Sequence, residues 1–223
     1  MARRILLVHG VWHGSWCWEA LVPQLRARGW APETIDLPSA SGDPELGMLA
    51  DAAAIRERLS QPGDPVTVLA HSYAGIPVGE GAAGLPGVRQ LIYLAAHLLK
   101  AGETDKDVAG IDLPDDAYFM VPPPEDAVAT MYHDVPADVA AAAVSRLRPH
   151  SSRVVVDRTT EAAWQQIPTA AIICDDDRIH AEVYTERLGT WLTSVRHLPG
   201  SHSPFLSRPG DLAAMIDEIA SKQ

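Results

Sequence analysis

The stretch Val66-Thr67-Val68-Leu69-Ala70-His71-Ser72-Tyr73-Ala74-Gly75 passes from an apolar strand pattern, through Ser72, into small residues that open a helix. A tight strand-to-helix turn of this kind pushes the serine oxygen out above the sheet edge, and the helix N-terminus behind it favours developing negative charge. That placement suits nucleophilic attack on a carbonyl through a covalent acyl intermediate. Ala70, Ala74 and Gly75 are small enough for strand and helix backbones to approach closely. The plainer alternative makes Ser72 a helix N-cap.

Acyl transfer also needs two preorganised N–H donors aimed at the oxyanion, one from the residue after the nucleophile and one from another strand-end loop. The run Leu7-Val8-His9-Gly10-Val11-Trp12-His13-Gly14 closes the first strand, so the N–H groups of Tyr73 and Val11 are the expected pair.

A serine nucleophile needs a base, and the base an acid that fixes its tautomer; on such a turn the three follow in the order Ser, Asp or Glu, His. Of nine histidines, His180, His197 and His202 come late enough. His197 falls inside the last strand and His180 follows the acid cluster too soon. His202 lies in Leu198-Pro199-Gly200-Ser201-His202-Ser203-Pro204-Phe205, a loop between the last strand and the last helix, and is the expected base. Asp175-Asp176-Asp177 follows a strand at the same sheet edge as Ser72, and three consecutive carboxylates cannot all face one imidazole. Asp177 is preferred, in part by its position in the loop and in part by the resemblance described below, with Asp176 as the alternative.

These positions require a sheet whose strands end at one edge. Short apolar runs at 5–9, 33–35, 66–70, 90–95, 170–174 and 195–198 alternate with helical patterns at 16–28, 48–59, 75–83, 181–192 and 209–220. Apolar strands alternating with helices predict an α/β fold, a mainly parallel doubly wound sheet of about six strands. Residues 97–166 break the rhythm, with Pro122-Pro123-Pro124 and two short helical patterns beginning near Glu125 and at Pro136. Such a length is too great for a loop in a compact domain. The expected organisation is core 1–96, inserted helical lid 97–166 and core 167–223. Tyr118, Phe119, Met120, Met131 and Tyr132 in the lid, and Trp12 beside the oxyanion loop, are candidate pocket residues.

Composition closes off other classes. With 223 residues, 47% hydrophobic and 21% charged, the chain can bury a core without disulfides or a structural metal. A net charge of −11, with no basic run, argues against nucleic acid. Cys17 and Cys174 form no ligand spacing and point to a reducing compartment. No apolar run suits a signal or a membrane span, so a cytoplasmic location and no membrane partner are expected. His9 and His13 are four apart without a glutamate between them, so no metal is expected.

Taken in order across nearly the whole chain, four stretches resemble the α/β-hydrolases, in particular the branch of small plant-type methylesterases and hydroxynitrile lyases with their bacterial relatives. They are 8–16, 70–75, Cys174-Asp175-Asp176-Asp177-Arg178, and 202–209. The resemblance implies a Ser72, Asp177 and His202 triad, oxyanion donors at Val11 and Tyr73, and a cap over the pocket. An acyl-enzyme route through these residues needs no metal or organic cofactor. The family's G-x-S-x-G reads Ala70-His71-Ser72-Tyr73-Ala74 here. The lyases of this branch carry a Lys after the catalytic His and a Thr at the first oxyanion position; Ser203 and Val11 stand there, which disfavours cyanide release. Related enzymes with an Asp nucleophile are excluded by Ser72.

The expected function is cleavage of a small carboxylic ester, aryl, short-chain or methyl, with thioester or lactone cleavage open to the same machinery. The rival is non-hydrolytic use of the scaffold, as a lyase, a cyclase or a small-molecule binding protein. The sequence leaves a homodimer open.

Overall fold

A computed structural model describes residues 3–221. The chain runs β1 (Arg3–Val8), α1 (Leu21–Arg26), β2 (Trp30–Ile35), α2 (Met48–Leu59), β3 (Val66–His71), α3 (Gly75–Gly81) and β4 (Val88–Leu94). The intervening segment carries α4 (Asp105–Ala109), β5 (Met120–Val121), α5 (Ala127–Met131), α6 (Ala137–Val144), β6 (His150–Ser151) and α7 (Arg153–Val156). It then returns through β7 (Thr169–Cys174), α8 (Glu182–Trp191), β8 (Ser194–Leu198), α9 (Pro204–Ser207) and α10 (Pro209–Ser221).

Six strands form one sheet in the order β2-β1-β3-β4-β7-β8, every pairing parallel. All six strands predicted from the sequence are present. Each central strand is apolar on both faces because both faces are covered. Leu6, Val8, Val68, Leu91 and Tyr93 pack on one side against residues of α2, α3 and α8. Ile5, Leu7, Leu69, Ile92 and Ile172 pack on the other against Trp18, Leu21 and Leu25, and against Leu212, Ile216 and Ile219 of α10. The buried stripe of α2, Met48, Asp51, Ala52, Ile55 and Leu59, has helical spacing but carries one carboxylate into the core.

The helix predicted over 16–28 is broken: a 3-10 turn at Ser15–Trp18 precedes α1. A helix running on from Trp16 would put Pro23 in its interior, where the ring meets the carbonyl four residues back and one backbone bond is lost. Restarting at Leu21 puts Pro23 in the first turn, where its missing N–H costs nothing.

The helical patterns near Glu125 and Pro136 correspond to α5 and α6. The segment also contains an antiparallel pair, Met120 opposite Ser151 and Val121 opposite His150, and a small core of its own around Met131, Tyr132 and Val135. No helix among the described residues is long and apolar enough to cross a membrane.

Close approach of α3 to the loop after β4 depends on Gly75. A Cβ there would lie 2.2 Å from the His97 carbonyl oxygen and 3.1 Å from the Ala96 Cβ. Gly75→Ala is expected to cost about 2 kcal/mol and to lower Tm by roughly 4–8 °C. Gly189→Ala, in α8 with nothing within 4 Å of the new methyl, is the opposite case. It should stabilise by about 0.5–1 kcal/mol through helix propensity. Thermal unfolding of both variants reads the difference in sign.

Candidate active site

Ser72 stands between β3 and α3 with φ of +56°, a left-handed conformation that costs a non-glycine residue about 1–2 kcal/mol. The turn is held by the N–H of His97, which donates to the Ser72 carbonyl at 2.9 Å. Ala70 and Ala74, where the family motif has glycines, are fully buried, so the fold accommodates both extra methyls. Gly10 lies directly against this turn; a Cβ there would be 2.9 Å from the Ser72 Cβ.

Ser72, Val11, Tyr73, Trp12 and His202 line one cavity of about 380 Å³, to which residues 97–166 contribute half of the lining. The Val11 loop is tightly built. Trp12 has φ of +64°, its N–H donates to His150 Nδ1 at 2.6 Å, and its carbonyl accepts the Arg148 N–H at 2.8 Å. His9 Nε2 accepts the Leu37 N–H at 3.1 Å, which leaves its proton on Nδ1 for the Gly10 carbonyl at 2.9 Å. His13 Nδ1 faces the Val11 carbonyl at 2.9 Å and its Nε2 faces the Tyr132 hydroxyl at 2.7 Å. Both nitrogens of each ring are therefore spent on holding the loop. Burial pushes His9 down to about 4 and His13 to about 3, so both are neutral.

Tyr73 is the first residue after the nucleophile, at the helix start, where backbone N–H groups have no intrahelical acceptor. Its hydroxyl donates to Asp51 at 2.8 Å, and Asp51 also accepts the Ser39 N–H at 2.9 Å and the Ser39 hydroxyl at 2.6 Å. Burial lifts the Asp51 carboxyl to about 6 against these three donors.

The structure brings Asp177, and not Asp176, to His202: Nδ1 meets Asp177 Oδ2 at 2.6 Å. The other oxygen of Asp177 accepts the N–H groups of Ile179 and His180, each at 3.0 Å. Burial alone would raise this carboxyl, but the His202 and His180 imidazoles and these N–H donors outweigh it and hold it below the usual carboxylate range. Asp176 instead accepts the Gly200 N–H at 3.1 Å, and Asp175 pairs with exposed His197 at 2.7 Å. The His202 loop is anchored from the intervening segment, where Asp134 accepts the Ser201 N–H at 3.1 Å and Arg208 at 2.9 Å.

Of the predicted pocket residues, Trp12 and Met131 line the cavity, whereas Tyr118, Phe119 and Met120 do not. Strand alternation is the reason for the correction. Val121 of β5 faces the cavity, so Met120 beside it in the pleat does not, and Tyr118 and Phe119 are exposed just before the strand. Tyr132 is fully buried beneath the pocket, against His13.

Sequence reasoning missed three histidines that line the cavity, His97, His150 and His180. A polar residue three positions past the apolar end of β4, at the Ser72 edge of the sheet, was the available signal for His97. For His180 the sequence offers only the role of a base, which its place straight after the acid cluster argues against. For His150, 78 residues from Ser72 and inside the irregular segment, the sequence carries no signal.

The sequence profile of the alpha/beta hydrolase family matches residues 5–215. A probable hydrolase of Phoma sp. is 27% identical with 97% of each chain covered, and methyl jasmonate esterase 1 of Vitis vinifera is 26% identical over 97% of this chain and 96% of that protein. Among solved structures, a methylesterase from Arabidopsis superposes with a TM-score of 0.83 at 23% identity over 100% of both chains. A pyrethroid hydrolase from Sphingobium faniae JZ-2 superposes with a TM-score of 0.84 at 23% identity, over 99% of this chain and 98% of that one.

Proposed function

The chain belongs to the alpha/beta hydrolase family, and from that membership we propose that it is a serine hydrolase of small carboxylic esters, aryl, short-chain or methyl. The observation that carries this reading is the 2.6 Å bond from Asp177 to His202, which lines one cavity together with Ser72. The curated relatives similar over their full lengths, a probable hydrolase and a methyl jasmonate esterase, support it.

In this mechanism Ser72 Oγ attacks the ester carbonyl while His202 Nε2 takes its proton, leaving an imidazolium that the buried Asp177 stabilises through Nδ1–H. The N–H groups of Val11 and Tyr73 receive the oxyanion, and the bonds of Asp51 to Tyr73 and of His150 to Trp12 keep their two loops in place. His202 then returns the proton to the leaving alcohol. Water, deprotonated by the same imidazole, attacks the acyl-enzyme, and collapse releases the acid and restores Ser72. Residues 97–166 serve as the cap that keeps bulk water out. The cavity volume, near the lower end of ligand pockets, favours a compact substrate.

A fluorophosphonate probe with peptide mapping, alongside p-nitrophenyl acetate turnover and a series of aryl, short-chain and long-chain acyl esters, tests the reading. We expect the adduct on Ser72 and the fastest rates with aryl and short-chain esters. A preference for long acyl chains would overturn the substrate class. A folded protein that takes no label would overturn the hydrolase and favour lyase, cyclase or binding use.

A further inference from the structure

The cavity contains a second histidine–carboxylate pair that the ester mechanism does not use. His97 Nδ1 meets Asp105 Oδ1 at 2.9 Å, and the same buried oxygen receives the Tyr184 hydroxyl. The imidazole is stacked on the Tyr184 ring, with centroids 4.1 Å apart and planes inclined by 7°. Asp105 is fixed at the first position of α4, behind Thr104, whose hydroxyl caps that helix by accepting the Asp107 N–H at 3.2 Å. His97, Asp105 and Tyr184 all line the cavity that holds Ser72. Because a carboxylate only accepts, Nδ1 carries a proton toward Asp105, and Nε2 is the ring nitrogen left for a ligand. The His97 N–H bond to the Ser72 carbonyl puts this ring in the loop next to the nucleophile.

A second, independent feature lies beside it. The His180 ring is 5.5 Å from that of His97 and 6.1 Å from that of His202. Its Nδ1 is 3.2 Å from the Thr185 hydroxyl, and its Nε2 is buried with no hydrogen-bond partner among the described residues. Burial pushes this ring down to about 3, with the His97 and His202 imidazoles acting in the same direction and Asp177 and the Ala96 carbonyl opposing. The Ala96 carbonyl acts on this ring without completing a hydrogen bond to Nε2, so that buried edge is short of a partner, which a ligand polar group reaching it would supply.

We propose that His97, set by Asp105, and the buried, unpartnered Nε2 edge of His180 beside it form a recognition subsite for a hydroxyl group on the acyl part of the substrate. The inference rests on the ester-hydrolase reading and narrows it: the preferred esters are hydroxylated ones. A hydroxyl both donates and accepts, so it can satisfy His97 Nε2 and His180 Nε2 together, which a hydrocarbon acyl group cannot.

The test uses matched pairs, methyl 3-hydroxybenzoate with methyl benzoate and methyl 3-hydroxybutyrate with methyl butyrate. The readout is the ratio of kcat/KM within each pair, for the wild type, His97→Phe, which keeps the stacking on Tyr184, and His97→Gln, which restores a polar atom near Nε2. Circular dichroism checks that each variant folds. We expect a ratio favouring the hydroxylated ester in at least one pair. In His97→Phe it should fall about ten-fold, the worth of one buried hydrogen bond, and His97→Gln should recover part of it. Hydrolysis of all four esters with ratios unmoved by either variant overturns the subsite and leaves the hydrolase standing. If the wild type hydrolyses none, the ester reading fails, and titration of the same pairs into Ser72→Ala with and without His97→Phe decides the subsite. Tighter binding of the hydroxylated member that depends on His97 supports it, and equal binding overturns it.

Discussion

Ser72→Ala is expected to lower kcat for a small ester by about 10⁵–10⁶-fold, and Asp177→Asn by about 10⁴-fold. Asp176→Asn should stay within a few-fold of the wild type. In the proposed mechanism the first loss removes the atom that would form the acyl-enzyme, leaving only oxyanion stabilisation and binding. The second follows from the 2.6 Å bond between Asp177 and His202. An asparagine there can turn its NH₂ toward Nδ1, which moves the ring proton to Nε2 and takes away the lone pair that must accept the serine proton. Asp177 also accepts two backbone N–H groups through its other oxygen, so the asparagine carbonyl has a reason to stay on that side. The Asp176 carboxylate instead accepts the Gly200 N–H. Single-turnover acylation with p-nitrophenyl acetate separates the two losses from binding. Equal effects of the Asp176 and Asp177 variants would exclude Asp177 as the acid.

The second large effect concerns acid stability. Burial pushes His9 to about 4 and His13, His150 and His180 each to about 3. Each folded value lies below that of the free side chain, so between roughly pH 4 and 6.5 the unfolded chain binds protons that the folded chain does not. Stability therefore falls as pH falls through this window. At pH 5 each unfolded imidazole gains about 2 kcal/mol by protonation, and the gains add because the four titrate independently once unfolded. Asp51, raised to about 6, works in the opposite direction, since the folded state takes up its proton first, and it returns about 1 kcal/mol at pH 5. The sum, about 7 kcal/mol, is comparable with the whole stability of an ordinary domain. Asp177 and Asp134, held low, add their losses only below the ordinary carboxylate range. Urea midpoints followed by circular dichroism should be flat above pH 7 and drop steeply between pH 6.5 and 5. A midpoint unchanged at pH 5 would show these imidazoles to be open to solvent.

The sheet was legible because its strands are apolar on both faces, and that alone separates 5–9 or 170–174 from the amphipathic helices around them. Ser72 and His202 were legible because each stands at a fixed offset from such a strand. Asp177 was less so: three neighbouring aspartates look alike until the turn shows which carboxylate faces the ring. The lining contributed by 97–166 was not legible, since a two-residue strand leaves no period to read. There a shift of one position decides whether Met120 or Val121 meets the cavity. Nor was Asp51, a carboxylate on the buried stripe of α2 whose partners Ser39 and Tyr73 come from two other elements.

The bonds of Asp134 carry a consequence for the rhythm of turnover. Asp134 grips the Ser201 N–H and Arg208, while close by the ring of His133 reaches the Asp176 carbonyl at 2.9 Å. The stretch after α5 is thus stitched to the acid loop and the base loop at once. Under the proposed mechanism, displacing it would slacken the alignment of Asp177 with His202. In the proposed hydrolase, loosening this stretch is therefore expected to slow the proton transfers that the two loops align.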